Sequence, residues 1–307
     1  MRGNARISHN GGEWISRREV IMIQNFVLVI SYLGVLLFGG CFGRDGAKPR
    51  VGVDANDTYI FVQLTDNHLG LNPKNSIVTE RLVQAINNYE TQHPIEFISI
   101  TGDLVSDAKY DAALGDFRSI RSKSNYPVYV VAGNNEFDLH SAGKINSDGV
   151  ERNAKTWKEN FGEFNYCVDI RNVRFVFISL ECLVYGVNIQ GCDIYKWLDA
   201  KLNEARSCDK HIIIFTHTPV VKNYYEGKLT SPYREQEYER LKKLLNEYHV
   251  AAVIAGHFHF EELDMLGDVP VYVCPSSVDF ECGRGRFRVY EYDADKNILK
   301  YKTFEIQ

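Results

Sequence analysis

From Tyr59 onward, short apolar runs rich in β-branched residues alternate with amphipathic stretches. Tyr59–Leu64, Phe97–Ile100, Val128–Val131, Val173–Ser179, His211–Phe215 and Val250–Ala255 are apolar almost throughout. Such continuity predicts strands buried on both faces. Ser76–Tyr89, Tyr110–Ser122, Ile194–Ala205 and Arg234–His249 repeat their apolar residues at helical spacing. Strands and helices in alternation predict an α/β fold whose sheets are covered by helices. The tail changes character: Val271–Cys274, Phe287–Tyr292 and Leu299–Phe304 read as short strands, with a turn over Asp293–Asn297.

The N-terminal stretch follows another pattern. Val20 to Gly43 holds no charged residue, and Arg17 and Arg18 precede it. A basic segment, an apolar run and small residues read as an export signal or membrane anchor. The run closes on Phe38-Gly39-Gly40-Cys41, which resembles a bacterial lipoprotein processing site with Phe where Leu is usual. The expectation is therefore a signal or anchor over 1–41 ending at a lipidated Cys41, a linker over 42–57, and one domain over 58–307. An exported, membrane-anchored protein follows, because the arginine pair stays on the cytoplasmic side. An uncleaved anchor and an ordinary cleaved signal are the alternatives, and a start at Met22 would remove the basic segment.

Composition narrows the class. Of 307 residues, 45% are apolar and 24% charged, enough for a large core and too charged for a multi-span membrane protein. The net charge of -5 gives no reason to expect a nucleic acid partner. No C-x-x-C pair occurs among the seven cysteines, which argues against a thiolate zinc site. Cys182 with Cys192 is the most plausible local disulfide, and buried free thiols are the alternative.

The chemistry gathers at strand ends. Tyr59–Leu64 runs into Thr65-Asp66-Asn67-His68, and Phe97–Ile100 into Thr101-Gly102-Asp103. Val128–Val131 leads to Gly133-Asn134-Asn135-Glu136, His211–Phe215 to Thr216-His217-Thr218-Pro219, and Val250–Ala255 to Gly256-His257-Phe258-His259. Ligands bind α/β sheets beyond the carboxyl ends of the strands. Singly these are ordinary turns, and a lone histidine after a strand is usually just solvated. Four of the nine histidines falling in these clusters is a different pattern. Imidazoles and carboxylates together suit divalent Zn, Fe or Mn, and two adjacent ions suit phosphoryl displacement.

The ordered set D-x-H, G-D, G-N-x-E, H-x-P, G-H-x-H resembles the calcineurin-like metallophosphoesterases, over residues 58 to about 307. The resemblance implies a four-layer αββα sandwich of two mixed β-sheets flanked by helices. It implies that Asp66, His68 and His259 hold one divalent ion and Asn134, His217 and His257 a second, with Asp103 bridging. The implied activity is hydrolysis of a small-molecule phosphate ester or nucleotide derivative, diesters or anhydrides favoured, by a hydroxide attacking phosphorus in line. The alternative is a protein of the same fold that keeps its metals but binds phosphate ligands with little or no turnover.

Three departures refine this. Purple acid phosphatases carry Tyr three residues after the bridging Asp, where this chain has Ser106. Serine/threonine protein phosphatases carry G-D-x-V-D-R-G, where this chain has Gly102-Asp103-Leu104-Val105-Ser106-Asp107-Ala108. The family's usual G-N-H-[D/E] is here Gly133-Asn134-Asn135-Glu136. That histidine normally lies over the substrate and protonates the leaving group, and Asn135 has no proton to give at neutral pH. Relatives with Cys at this position resemble working phosphodiesterases, so the change does not imply an inactive protein. Asn135 is accordingly expected to touch substrate, His140 is a candidate stand-in acid, and Glu136 is expected behind the ligands. The pocket walls are expected from Lys222–Tyr233, where Tyr224 and Tyr225 could stack on a base or sugar, and from a loop near Asp138–Asp148.

Overall fold

The computed structural model describes residues 57–106, 110–139, 147–189, 193–279 and 283–306. The expected signal or anchor with Cys41, the linker up to residue 56, His140 and Cys192 lie outside the described residues. No helix among the described residues is long and apolar enough to cross a membrane.

In chain order the elements are β1 (Thr58–Leu64), α1 (Pro73–Asn87), β2 (Ile95–Thr101), α2 (Tyr110–Ser122), β3 (Val128–Val131), α3 (Ser147–Phe161), β4 (Tyr166–Ile170), β5 (Val173–Phe177) and the short α4 (Glu181–Tyr185). They continue with α5 (Ile194–Ser207), β6 (His211–Phe215), a small hairpin of β7 (Asn223–Tyr224) and β8 (Leu229–Thr230), α6 (Glu235–Glu247), β9 (Ala252–Ala255), β10 (Glu262–Leu266), β11 (Val269–Val273), β12 (Gly285–Asp293) and β13 (Ile298–Ile306).

One sheet has the order β13-β12-β1-β2-β3 and the other β10-β11-β9-β6-β5-β4. Strands β1, β2 and β3 run parallel, as do β11, β9, β6 and β5. The strands β12, β13, β10 and β4 add antiparallel pairs. Both sheets are thus mixed, as expected.

Strand alternation sorts the core into three layers. Tyr59 and Phe61 of β1, Phe97 of β2, Phe175 and Phe177 of β5 and Phe215 of β6 fill the space between the sheets. The intervening residues Ile60, Val62 and Leu64 of β1 face outward and meet Val78, Leu82 and Ile86 of α1 and Trp157 of α3. On the far side, Ile212 and Ile214 of β6 meet Leu198 and Leu202 of α5 and Leu241 and Leu245 of α6. This is the four-layer αββα sandwich.

Local signals set the helix starts. Asn72 accepts the Lys74 N–H at 2.9 Å as the N-cap of α1, and Pro73 follows as its first residue. Asp193 caps α5 in the same way, through the Lys196 N–H at 3.1 Å. Helices α3 and α4, the hairpin strands β7 and β8 and the edge strands β4 and β10 were not anticipated. Helix α3 buries Val150, Ala154 and Trp157 at helical spacing. Its first two residues overlap the end of the expected pocket loop near Asp138–Asp148, of which residues 140–146 lie outside the described residues. The edge strands β4 and β10 are half-exposed along most of their length, so they lack the continuous apolar signature of inner strands.

Phe97 is the centre of the inner layer. Its ring stacks on Phe61 at 5.4 Å and meets Phe175 edge-on at 4.9 Å and Phe215 at 5.9 Å. Phe97→Ala should lower the unfolding free energy by about 3–5 kcal/mol. Urea unfolding followed by tryptophan fluorescence measures it, and a loss below about 1 kcal/mol would refute the central role.

Candidate metal centre

The five strands whose ends carry the polar clusters deliver them to one place. Three belong to the first sheet (β1, β2, β3) and two to the second (β6, β9). Backbone hydrogen bonds stitch the ends together: Asp66 N–H donates to Gly102 O at 3.0 Å, His68 N–H to Asp103 O at 2.9 Å, and Gly256 N–H to His217 O at 3.0 Å.

Five of the seven expected ligands have left-handed backbone: Asp66 (φ 53°), His68 (φ 45°), Asp103 (φ 48°), His257 (φ 70°) and His259 (φ 61°). This conformation is sparsely populated by residues with a Cβ, although Asp and His adopt it more often than most. It costs on the order of 1–3 kcal/mol per residue and recurs where function requires it. Here it turns the chain just past the strand ends, where Asp66 with His68, and His257 with His259, enter the two ligand groups.

Two glycines make room. A Cβ on Gly102 would stand 2.4 Å from the His217 ring. One on Gly256 would stand 1.9 Å from Thr65 Oγ1 and 2.7 Å from Asp66 Oδ2.

Six of the ligands form two groups: Asp66, His68 and His259, and Asp103, His217 and His257. In the first, Asp66 Oδ1 lies 3.2 Å from His259 Nε2 and 4.0 Å from His68 Nε2, and the two imidazole nitrogens are 3.4 Å apart. In the second, Asp103 Oδ1 lies 3.3 Å from His217 Nε2, which is 3.1 Å from His257 Nδ1. Asn134 joins the second group, its Oδ1 3.1 Å from His217 Nε2. Its amide donates to Leu139 O at 3.0 Å, which turns the oxygen inward. The Nδ1 of His217 lies 2.8 Å from Thr101 O. A proton on that nitrogen leaves Nε2 as the ligand atom. Asp103 Oδ2 faces the other way, 3.9 Å from His68 Nε2.

These residues fit metal ions. Imidazole nitrogens converge on one another and on carboxylate oxygens at 3.1–3.4 Å, a donor set that suits divalent Zn, Fe or Mn. Asp66 Oδ1 is fully buried yet receives no well-directed hydrogen bond. Its partner Oδ2 accepts from Thr65 Oγ1 at 2.7 Å and His257 N–H at 3.0 Å. A buried carboxylate oxygen left over in this way calls for a cation.

The electrostatics agree. Burial opposes the charge on Asp103, but His217 and His68 outweigh it and hold the carboxyl well below its ordinary range. Burial also opposes protonation of His217, yet Asp103 and Asp66 hold its proton well above the usual value. Burial and the neighbouring His217 push His257 down to about 4.

Glu136 lies behind the ligands as expected. It is fully buried and accepts N–H groups from Asp103 at 2.9 Å, Val105 at 3.0 Å and Gly133 at 2.7 Å. Burial and the nearby Asp103 push its carboxyl up to about 8. Asn135 is turned into the centre. Its amide donates to Asp103 Oδ2 at 2.6 Å and lies 3.2 Å from His68 Nδ1, and its backbone N–H donates to Asp103 Oδ1 at 2.9 Å.

The tyrosines expected to meet substrate separate. Tyr224 lies flat on Phe258, between the two loop histidines, with centroids 3.8 Å apart. Tyr225 is 47% exposed, with Lys228 over its ring at 4.7 Å.

A sixth strand end was missed. After β5 comes Ser179-Leu180-Glu181, and the fully buried Glu181 accepts the N–H of Thr218, next to His217, at 3.3 Å. An acid following an apolar strand was the available signal. The Thr101 carbonyl left none, because a backbone group has no residue type.

A family model described as calcineurin-like phosphoesterase matches residues 60–261. The chain belongs to that family. Among relatives, a probable cyclic nucleotide phosphodiesterase of Fibrobacter succinogenes is 24% identical over 228 residues, 70% of this chain and 78% of that protein. Purple acid phosphatase 23 of Arabidopsis thaliana is 29% identical over 164 residues, 49% of this chain. The match spans only 33% of that protein. Among solved structures, a dimetal phosphatase from Danio rerio superposes with a TM-score of 0.57 at 15% identity, over 81% of this chain and 98% of the other. Identity that low speaks for the fold alone. The protein is a metallophosphoesterase with two candidate metal sites.

Gly256→Ala should displace Thr65 and Asp66 and weaken the first group. Calorimetric titration of Mn²⁺ into metal-stripped protein should show affinity lower by roughly 10–100-fold at one of two sites. Unchanged binding would refute the close approach.

Proposed function

We propose that the protein is a dimetal hydrolase of small phosphate diesters or anhydrides. The observation that carries this is Asp103, whose two carboxylate oxygens face different ligand groups, 3.3 Å from His217 Nε2 and 3.9 Å from His68 Nε2. Asp66, His68 and His259 then hold one ion, Asn134, His217 and His257 the other, and Asp103 both. Two divalent ions so held supply a nucleophile from water at neutral pH and neutralise charge on the phosphoryl oxygens. The chain's own residues aim the ligand atoms: Thr101 O sets the His217 tautomer, and Leu139 O orients Asn134.

Asn135 bears on the substrate class. Its amide caps Asp103 and has no proton to transfer. A general acid contributes roughly 10²–10⁴-fold when the leaving group is basic. Phosphate and aryl oxide leave without one, so anhydrides and activated diesters suit this site. The Fibrobacter relative's name is consistent with the diester reading. The exposed Tyr225 is the aromatic available to a base or sugar, with Tyr224 fixing its hairpin onto the ligand loop. The apolar run ending at Cys41 supports attachment to a membrane as an exported lipoprotein, and Cys41→Ser should abolish lipid labelling.

Asn135 also gives the second reading its footing: a protein that binds metal and phosphate without efficient turnover. Hydrolysis of an aryl phosphodiester with added Mn²⁺ separates the two. Asp103→Asn should lower that turnover by orders of magnitude and empty both sites, and two ions per chain at normal rates would refute the assignment. Asn135→His should accelerate alkyl esters more than aryl esters. An equal factor across a leaving-group series would refute the missing-acid account.

A further inference from the structure

The ligands differ in how they are held. The side chains of Asp66 and His217 are fully buried, and those of His68 and Asp103 are 9% and 4% exposed. The side chain of His259 is 40% exposed and its backbone is left-handed. Its ring contacts Asp66 and His68, and the loop that carries it sets the position of its backbone.

That loop is tied at its exit by adjacent carboxylates that reach in different directions. Glu262 accepts the backbone N–H of Tyr225, on the small hairpin, at 2.9 Å. Glu261, two residues after His259, reaches the other sheet. Its Oε1 accepts from Tyr301 Oη at 3.0 Å, and its Oε2 lies 2.9 Å from Arg288 Nη2. The angle at Nη2 is not that of a directed hydrogen bond, so this second contact is ionic.

Arg288 is the unusual partner. It is fully buried on β12, a strand that also supplies Tyr290 and Tyr292 to the layer between the sheets. Its Nε donates to Thr303 Oγ1 at 2.9 Å and its Nη1 to Val273 O at 3.0 Å, and its guanidinium lies 4.3 Å from the centre of the Tyr301 ring. A buried guanidinium is a costly way to join two sheets, since an apolar residue of similar size does as well or better. It does offer a planar, permanently charged fork with fixed geometry.

We propose that Arg288, acting through Glu261 and with Tyr301, is a positioning residue for His259 and sets the metal affinity of the Asp66–His68–His259 group. It touches neither metal nor substrate. The inference rests on the reading of that group as a metal site. Groups behind a metal ligand typically change affinity by roughly 10–100-fold when removed. Glu261 lies two residues beyond His259, the most exposed imidazole of the two groups, so the effect of the clamp falls first on the Asp66–His68–His259 group.

The test uses the full chain, stripped of metal and titrated with Mn²⁺ by calorimetry. Electron paramagnetic resonance of the loaded protein distinguishes a coupled Mn²⁺ pair from an isolated ion. Glu261→Gln should weaken one of the two binding events by roughly 10–100-fold and leave the other unchanged. At limiting Mn²⁺ the coupled-pair signal should give way to that of an isolated ion. Arg288→Lys, which keeps the charge and loses the fork, should do the same, and Tyr301→Phe should have a smaller effect in the same direction. Thermal melting of each metal-free variant separates positioning from general destabilisation. Two ions bound with parental affinities in Glu261→Gln overturn the clamp and leave the metal reading standing. Both affinities falling together with the melting temperature overturn it as well, because a purely structural tie predicts that. A parent chain that binds no ion pair overturns the metal reading and the clamp with it.

Discussion

The structure depends on one buried carboxylate, Asp103, just past the end of β2. Its carboxylate accepts the backbone and side-chain N–H groups of Asn135, while its own N–H donates to Glu136, both of them on the loop after β3. With both oxygens held by Asn135, the carboxylate keeps one oxygen toward His217 and the other toward His68. A negative charge so deeply buried is tolerable only because positive or polarisable partners surround it. The ligand groups, the glycines that let them approach and the left-handed turns that aim them all serve this one arrangement.

The fold supplies the rigidity that such an arrangement needs. Left-handed backbone at five ligand positions stores strain, and the structure around them must hold it. The aromatic layer between the sheets does so from below, with Phe61, Phe97, Phe175 and Phe215 locked against one another. Just under the site the layer turns polar. Gln63 donates to Ala255 O at 2.9 Å and to Thr101 Oγ1 at 2.7 Å, and accepts from Tyr290 Oη at 2.9 Å. One side chain thereby links β1, β2, β9 and β12, the first three of which carry ligands at their ends.

Family membership and chemistry point the same way but not equally far. The calcineurin-like family and the two ligand groups make phosphoester hydrolysis the shared chemistry. The specifics come from departures. An amide where the family usually has an imidazole removes a proton donor and adds a hydrogen bond to Asp103. In this chain the Asn135 amide supports Asp103, whose two oxygens face the two ligand groups.

The inner strands, the covering helices and the clusters at the strand ends were legible in the sequence, for one reason. Burial on both faces demands unbroken apolar runs, and metal binding demands particular side chains, so both leave their mark in residue types at short spacing. The edge strands β4 and β10 were not legible, since half-exposed strands need no such run. Helix α3 carried its own periodicity at Val150, Ala154 and Trp157 and was passed over beside the more obvious loop residues. What tertiary structure alone decided is which atoms meet. The Thr101 carbonyl that sets the His217 tautomer, the Glu181 carboxylate behind Thr218, and Arg288 reaching Glu261 from another sheet are contacts between residues 27 or more positions apart. Sequence fixes the kinds of ligand available through local chemistry, whereas their distances and orientations come from the packing of two sheets, which no local pattern encodes.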